Sequence, residues 1–475
     1  LISKLKQILF FFVVSLNTFG QTTTTQDAFQ IAFDLYQQGK YTEAVIEYSN
    51  YLASNPSSGD ALYNRGLARY MLGDYNDAIA DFKSSALKGR DLYDAYYYTG
   101  SSYFWQAKYS EAIPYYEKAI EKNSNYGGSY IYKAASLHYM NNNDEAAKFI
   151  EKGVSLSPEF AWGYYYRSLI KYDKGDVQGS YDDANKALSL DNDDLMFFQR
   201  GYVELKQKKY KECVIDYDSV LVRNPKNGGA YYNRGIAKFE LGEYSKAAVD
   251  FDKSFECGRH QYDGYYYRAL CRFYLEQYKN AITDFNASID LNPNYIYAYT
   301  YRGACNYYLG KYDEAMVDLN KSLSHDAKYH DTYYYIACVK HEMGNDTGAI
   351  NECNRALAIK KHYEFFLQRG ICRYTLSDYK GAVDDYNLSL DLKPSYAITY
   401  YDRGLCFYML KQYDLAISDF TKAINADKNY TEAYYYRGLS KSYLSDNNGA
   451  CADFKIAERQ GKEEALKHMG NLGCK

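Results

Sequence analysis

Clustered positive charge is the first thing this sequence lacks. Its 56 lysines and arginines are outnumbered by 60 acidic residues, and no basic run or stripe concentrates them. Recognition of nucleic-acid phosphate needs such clustering, so no nucleic-acid partner is expected. Metal-ligand spacing is also missing. The seven histidines (His138, His260, His325, His330, His341, His362 and His468) are scattered, and the cysteines follow no zinc pattern. No strand pattern precedes a Gly-rich loop, which removes the usual phosphate cradle. Beyond residue 14 no apolar run approaches the length that spans a bilayer. With no catalytic constellation, the expectation is a non-enzyme with no metal and no cofactor. Proline is scarce too, at six in 475 residues, and tryptophan occurs twice.

What the chain has is one segment written about thirteen times, at a spacing of 34 residues with two slips to 33. Asp60-Ala-Leu-Tyr-Asn-Arg-Gly66 returns as Ala230-Tyr-Tyr-Asn-Arg-Gly235 and as Tyr299-Thr-Tyr-Arg-Gly303. A period of this size means that each repeat is a supersecondary element that buries its apolar face only against its neighbours. Counted from 1 within a repeat, small residues recur at position 8 (Gly66, Gly100, Ala134, Gly303, Gly438) and at position 20 (Ala44, Ala78, Ala247, Ala315, Ala450). Two small residues at one level allow two helices to approach closely. Gly near position 15 suits a left-handed cap on the first helix. A tyrosine at position 17 (Tyr75, Tyr244, Tyr278, Tyr413) would wedge into the elbow. Five prolines (Pro56, Pro158, Pro225, Pro293, Pro394) fall at 32, just past the second helix. Pro114 is expected near the start of a second helix, where its missing N–H costs little.

These residues resemble the tetratricopeptide repeat family over roughly residues 25–464: a large residue at 4, Gly at 8, Ala at 20, an aromatic at 24 and Pro at 32. The resemblance implies an all-α, right-handed α-solenoid superhelix of about thirteen helix-turn-helix repeats, closed by a C-terminal capping helix. It implies a protein or peptide ligand held on a concave face lined by first-helix positions 5, 9 and 12. Position 5 supplies the ligand-groove candidates Tyr63, Tyr97, Tyr165, Tyr232, Tyr266, Tyr334, Tyr401 and Tyr435, since tyrosine gives rigid contact area and an orienting hydroxyl. The same rings would serve if they only stacked between repeats. The family's Lys and Asn clamp for a C-terminal carboxylate is missing. The function expected is a non-catalytic protein-binding scaffold or adaptor. A carbohydrate or cell-wall binding module, or a non-catalytic subunit of an envelope enzyme complex, is the alternative.

One departure from the family pattern carries its own information. Position 7 is Arg in nine repeats (Arg65, Arg167, Arg200, Arg234, Arg268, Arg302, Arg369, Arg403, Arg437), and each of those has Asp at 23. The four without Arg have Ile31/Glu47, Thr99/Tyr115, Lys133/Phe149 and Ile336/Glu352. Positions that change together behave as contacting partners, and a guanidinium fork suits a partly buried carboxylate. A structural ion pair is expected, rather than an arginine ladder for acidic ligands.

The ends complete the organisation: a signal peptide over 1–20, a polar linker over 21–24, the repeat array over 25–461, and a capping helix and tail over 462–475. Lys4 and Lys6 precede the apolar run 8–14, and Thr18-Phe-Gly20 offers small residues for cleavage. Export to a periplasm or beyond the cell follows, with no permanent membrane span. Ten cysteines then invite disulfides. Cys271, Cys305, Cys372 and Cys406, however, share position 10 of four repeats, roughly 15–20 Å apart by helix-packing distances. That exceeds the ~7 Å a bridge allows. Cys451 and Cys474 alone flank the Gly461 turn at similar distances, so a final hairpin would pair them. In the capping helix Ala465, Leu466 and Met469 are expected to cover the last repeat, with Lys462, Glu463, Lys467 and His468 facing water.

Overall fold

The computed structural model describes residues 23–474, which form 27 α-helices, α1 (Thr23–Gln37) to α27 (Glu464–Leu472), with no strand among them. The expected signal peptide at 1–20 lies outside the described residues. Twenty-six helices are consecutive helix–turn–helix pairs, one pair per repeat, and α27 follows the last pair. The chain is an all-α helical-repeat solenoid. It divides into two compact halves, Leu1–Leu241 and Gly242–Lys475, between α13 (Gly228–Glu240) and α14 (Tyr244–Glu256). Each half repeats one local plan.

The turn inside each repeat is the most regular part of that plan. Position 15 has positive φ in all thirteen repeats, but glycine fills it in only six: Gly39, Gly73, Gly175, Gly242, Gly310 and Gly344. Ala107, Asn141, Lys208, Glu276, Ser377, Lys411 and Ser445 take the same backbone at φ 58–64°. A left-handed conformation costs a non-glycine residue roughly 1–2 kcal/mol, so helix pairing imposes the turn. Two bonds close it. The Lys411 N–H donates to the Tyr408 carbonyl at 2.9 Å and the Gln412 N–H to the Phe407 carbonyl at 2.8 Å, which is the Schellman pattern.

Packing within a repeat follows from positions 8, 20 and 24. Ala44, Ala78, Ala247, Ala315 and Ala450 are fully buried. The aromatic at 24 presses on position 8: a Cβ on Gly370 would lie 2.6 Å from the Tyr386 ring. Glycine there removes the side chain so that the ring can enter. Removing such a ring costs about 3–5 kcal/mol.

Two expectations change. Pro114 is the sixth residue of α6 (Tyr109–Lys122), past the first turn. It therefore deletes an i→i−4 bond instead of sitting among the free N–H groups. In α27 the buried stripe is rotated from the one expected. Leu466 is exposed, whereas Ala465 is buried, Met469 and Leu472 pack on the last repeat, and the His468 ring stacks on Phe454 at 5.5 Å. Spacings of i, i+3, i+4 and i+7 from Ala465 describe this face. Cys451 and Cys474 are disulfide-bonded, with Cα atoms 5.5 Å apart. Among the described residues no helix is long and apolar enough to cross a membrane.

Candidate functional site

The arginines at position 7 are structural. In eight repeats the fork bonds the Asp at 23 of its own repeat, as in Arg65 Nε and Nη2 to Asp81 at 2.9 and 2.7 Å, and Arg437 to Asp453 at 2.9 and 2.6 Å. The ninth set, Arg234 and Asp250, has its two residues in different halves. A third bond was not foreseen. Each Arg also sends Nη1 to position 25 of the preceding repeat: Arg65 to Ser49, Arg167 to Glu151, Arg234 to Asp218 and Arg403 to Asn387, with the other five alike. One guanidinium thus joins two helices of its own repeat and staples them to the one before. The carboxylates are enclosed, which leaves no row of free cations for an acidic ligand among the described residues. Two of the four exceptions keep the logic. Lys133 bonds Glu117 at 2.8 Å and lies over the Phe149 ring, while Lys340 takes over from the missing Arg and bonds Glu352 at 2.7 Å.

The position 5 tyrosines divide into two groups. Tyr63, Tyr97, Tyr165 and Tyr266 are buried, and Tyr232, Tyr334, Tyr401 and Tyr435 are half-buried. Tyr97 meets Tyr126 at 5.0 Å and Tyr132 at 6.0 Å, and Tyr266 meets Tyr295 at 5.0 Å and Tyr301 at 6.3 Å. Burial holds the phenols of Tyr63, Tyr97 and Tyr266 well above their usual pKa. The buried four are therefore joints between repeats and offer no open ring face. The next repeat closes over Tyr63, Tyr97 and Tyr266, where Tyr98, Tyr132 and Tyr301 of its first helix fill the same junction.

One exposed apolar row lies further along the first helices, at positions 13 and 14, while second-helix residues such as Ile215, Val249 and Val317 are exposed as well. In the C-terminal half every repeat from the eighth to the thirteenth exposes at least one large side chain there: Tyr274, Tyr308, Met343, Leu376, Met409 and Tyr443, at 45–61% exposure. Tyrosines at position 13 stack face to face on the tyrosine at position 17 of the preceding repeat. The pairs are Tyr244–Tyr274 at 4.8 Å, Tyr278–Tyr308 at 5.0 Å and Tyr413–Tyr443 at 4.7 Å. In the N-terminal half Tyr109–Tyr139 does the same at 4.9 Å. The signal was present in the sequence, as a tyrosine at position 13 that follows one at position 17 of the repeat before.

Cys271, Cys305 and Cys406 at position 10 are buried fillers. Burial pushes the Cys271, Cys305 and Cys406 thiols up to about 12, which makes them poor nucleophiles. One side-chain cluster escaped the spacing argument: His341, Asp346 and Cys372, whose donor atoms lie within 4.8 Å of one another.

Models of the tetratricopeptide repeat family match residues 29–91, 93–126, 262–295 and 397–430. With the hairpin register described above, the chain is a tetratricopeptide repeat protein. Repeats of this kind build a scaffold suited to protein interaction, and the family is typically non-catalytic. No curated protein matches the sequence. Similar solved structures include the APC/C hetero-tetramer Cut9–Hcn1, at 12% identity over 95% of this chain and 96% of that one, with a TM-score of 0.47. A tetratricopeptide repeat protein from Parabacteroides merdae is 20% identical over 52% of this chain and 98% of that one, with a TM-score of 0.45. Yeast Tom70 is 15% identical over 87% and 95%, with a TM-score of 0.41.

Proposed function

We propose that this protein is an exported, non-catalytic scaffold that holds a protein or peptide against the exposed ends of its first helices. The row Tyr274, Tyr308, Met343, Leu376, Met409 and Tyr443 carries this reading, since six consecutive repeats each expose a large apolar side chain at position 13 or 14. Scattered exposed apolar residues are ordinary on a protein surface, but a row in register points to a partner. Tyrosine and methionine suit it, one as a rigid anchor and the other as an adaptable filler. Export is supported by the Lys4, Lys6 and 8–14 pattern and by the Cys451–Cys474 bond, which suits an oxidising compartment. The carbohydrate alternative is less favoured, because the stacked tyrosines already cover one another's faces.

Peptide phage display on the folded full chain, beside a glycan array, tests the reading. Ligands are expected from display, and Tyr308→Ser with Tyr443→Ser should weaken them about tenfold or more at an unchanged unfolding midpoint. Ligands indifferent to both substitutions, or glycan binding alone, would overturn it.

A further inference from the structure

We propose that His341, Asp346 and Cys372 form a binding site for a borderline transition-metal dication, Zn²⁺ foremost, that ties the tenth repeat to the eleventh. His341 is the penultimate residue of α19 (His330–Glu342), at position 12, and Asp346 begins α20 (Asp346–Ile359) at position 17. Cys372 comes from position 10 of α21 (Tyr363–Thr375), in the next repeat.

The neighbouring repeats show what these positions normally hold. In repeats 8, 9, 11 and 12 positions 12 and 17 form an aromatic pair: Phe273–Tyr278 at 5.7 Å, Tyr307–Tyr312 at 6.2 Å, Tyr374–Tyr379 at 5.4 Å and Tyr408–Tyr413 at 5.8 Å. Repeat 10 replaces both rings with an imidazole and a carboxylate, hydrogen-bonded at 2.5 Å between His341 Nδ1 and Asp346 Oδ1. Repeat 4 makes a similar exchange, with His138 Nδ1 and Asn143 Oδ1 at 2.8 Å, but the residue at position 10 of the following repeat is Ile170. Only repeat 10 adds a thiol, and it offers a carboxylate where repeat 4 has an amide.

The geometry is close to what Zn²⁺ requires. Its bonds to N, O and S of about 2.0–2.3 Å set tetrahedral donors roughly 3.3–3.8 Å apart. The three donor atoms here lie within 4.8 Å of one another. The ion would part His341 from Asp346 and draw in the thiolate, with the displaced protons leaving to solvent. Gln368 Nε2 donates to Cys372 Sγ at 3.7 Å, an outer partner of the kind that orients a ligand. The Asp346 side chain is 7% exposed and that of His341 24%, so the enclosed set has one open side for entry and a fourth ligand. One nitrogen, one sulfur and one oxygen donor suit Zn²⁺ and disfavour Mg²⁺ or Ca²⁺, which take oxygen.

The test is Zn²⁺ titration of the reduced, metal-stripped full chain by chelator competition, with Co²⁺ as the spectroscopic probe. One tight equivalent is expected, with a rise in unfolding midpoint and a Co²⁺–thiolate charge-transfer band. Cys372→Ser puts in the buried serine that Ser102, Ser136 and Ser440 supply at position 10 elsewhere. It should abolish the band and weaken Zn²⁺ by more than the roughly 10–100-fold lost with an outer partner. His341→Tyr with Asp346→Tyr restores the neighbours' aromatic pair, so it should fold at least as well and lose the site. Zn²⁺ affinity equal in the wild type and this double variant, or a thiolate band that survives Cys372→Ser, overturns the proposal.

Discussion

Asp385→Ala probes the inter-repeat staple where it is most enclosed. The Asp385 side chain is 1% exposed and accepts from Arg369 Nε at 3.0 Å, Arg369 Nη2 at 2.5 Å and Arg373 Nη1 at 2.8 Å. Its removal leaves two guanidinium groups together, at 16% and 28% side-chain exposure. Breaking a fully buried pair costs about 3–5 kcal/mol, and an exposed pair about 0–1. Both arginines keep a wet edge, and Arg369 keeps Asn354 at 2.6 Å. The expected cost therefore falls between, at about 2–3 kcal/mol. Because each repeat rests on its neighbours, the loss is local before it is global. Amide exchange in α21 and α22 (Tyr379–Leu392) should accelerate about 30–150-fold, at one tenfold per 1.4 kcal/mol, and remote repeats much less. Asp384, exposed on the same helix, is the control, and its alanine variant should stay within about 0.5 kcal/mol. Equal exchange in the two variants would reduce the staple to a surface ion pair and refute the reasoning.

Other perturbations address separate parts of the fold. Glu204 is enclosed beside Asp216, and burial, then the Asp216 charge, lifts its carboxyl to about 8. That exceeds the ~4.3 of an unfolded glutamate, so stability should fall as pH rises from about 4 towards 8. Glu204→Gln should flatten this fall in chemical-denaturation series, and an unchanged pH profile would count against the assignment. Lys411→Gly, at φ 58°, should gain up to about 1 kcal/mol in the same measurement, since the left-handed penalty outweighs glycine's added unfolded-state entropy. Cys474→Ser opens a loop with a sequence separation of 23 and should cost about 3 kcal/mol, read as faster exchange in α27 and loss of the melting shift that reductant causes in the wild type.

Much of the fold was legible because the chain states it thirteen times. Small residues at 8 and 20 and the ring at 24 fix one hairpin, and repetition separates them from chance. The same redundancy exposed the pairing of positions 7 and 23. The third arm of the staple is written in the sequence too, but only across the repeat boundary. Position 25 ahead of every Arg is an acceptor, from Ser49 and Glu151 to Asn387 and Thr421, whereas Lys83 stands ahead of Thr99. Which position 5 rings are buried in a junction was not readable from the sequence. Tyr96, Tyr97 and Tyr98 are equally aromatic, and which ring enters the junction depends on a rotation that only the packed neighbour fixes.

Regularity also gives meaning to its own breaks. Repeat 10 departs from the pattern at positions 7, 12, 17 and 23 together, with Ile336, His341, Asp346 and Glu352. Two of these form a compensated set. Losing Arg at 7 lengthens the carboxylate at 23 to Glu352, which Lys340 reaches from position 11 at 2.7 Å, so the ion pair survives by another route. The changes at 12 and 17 compensate nothing in that network. They exchange a ring pair that packs well in four nearby repeats for a polar pair set against a buried thiol, at a level where stacking alone favours tyrosine. A lone substitution there would read as drift. Two polar residues that bond each other and converge with Cys372 on one point read as a site, and they flank Met343 of the exposed row in sequence, where a ligand and an ion held between repeats 10 and 11 would act on the same junction.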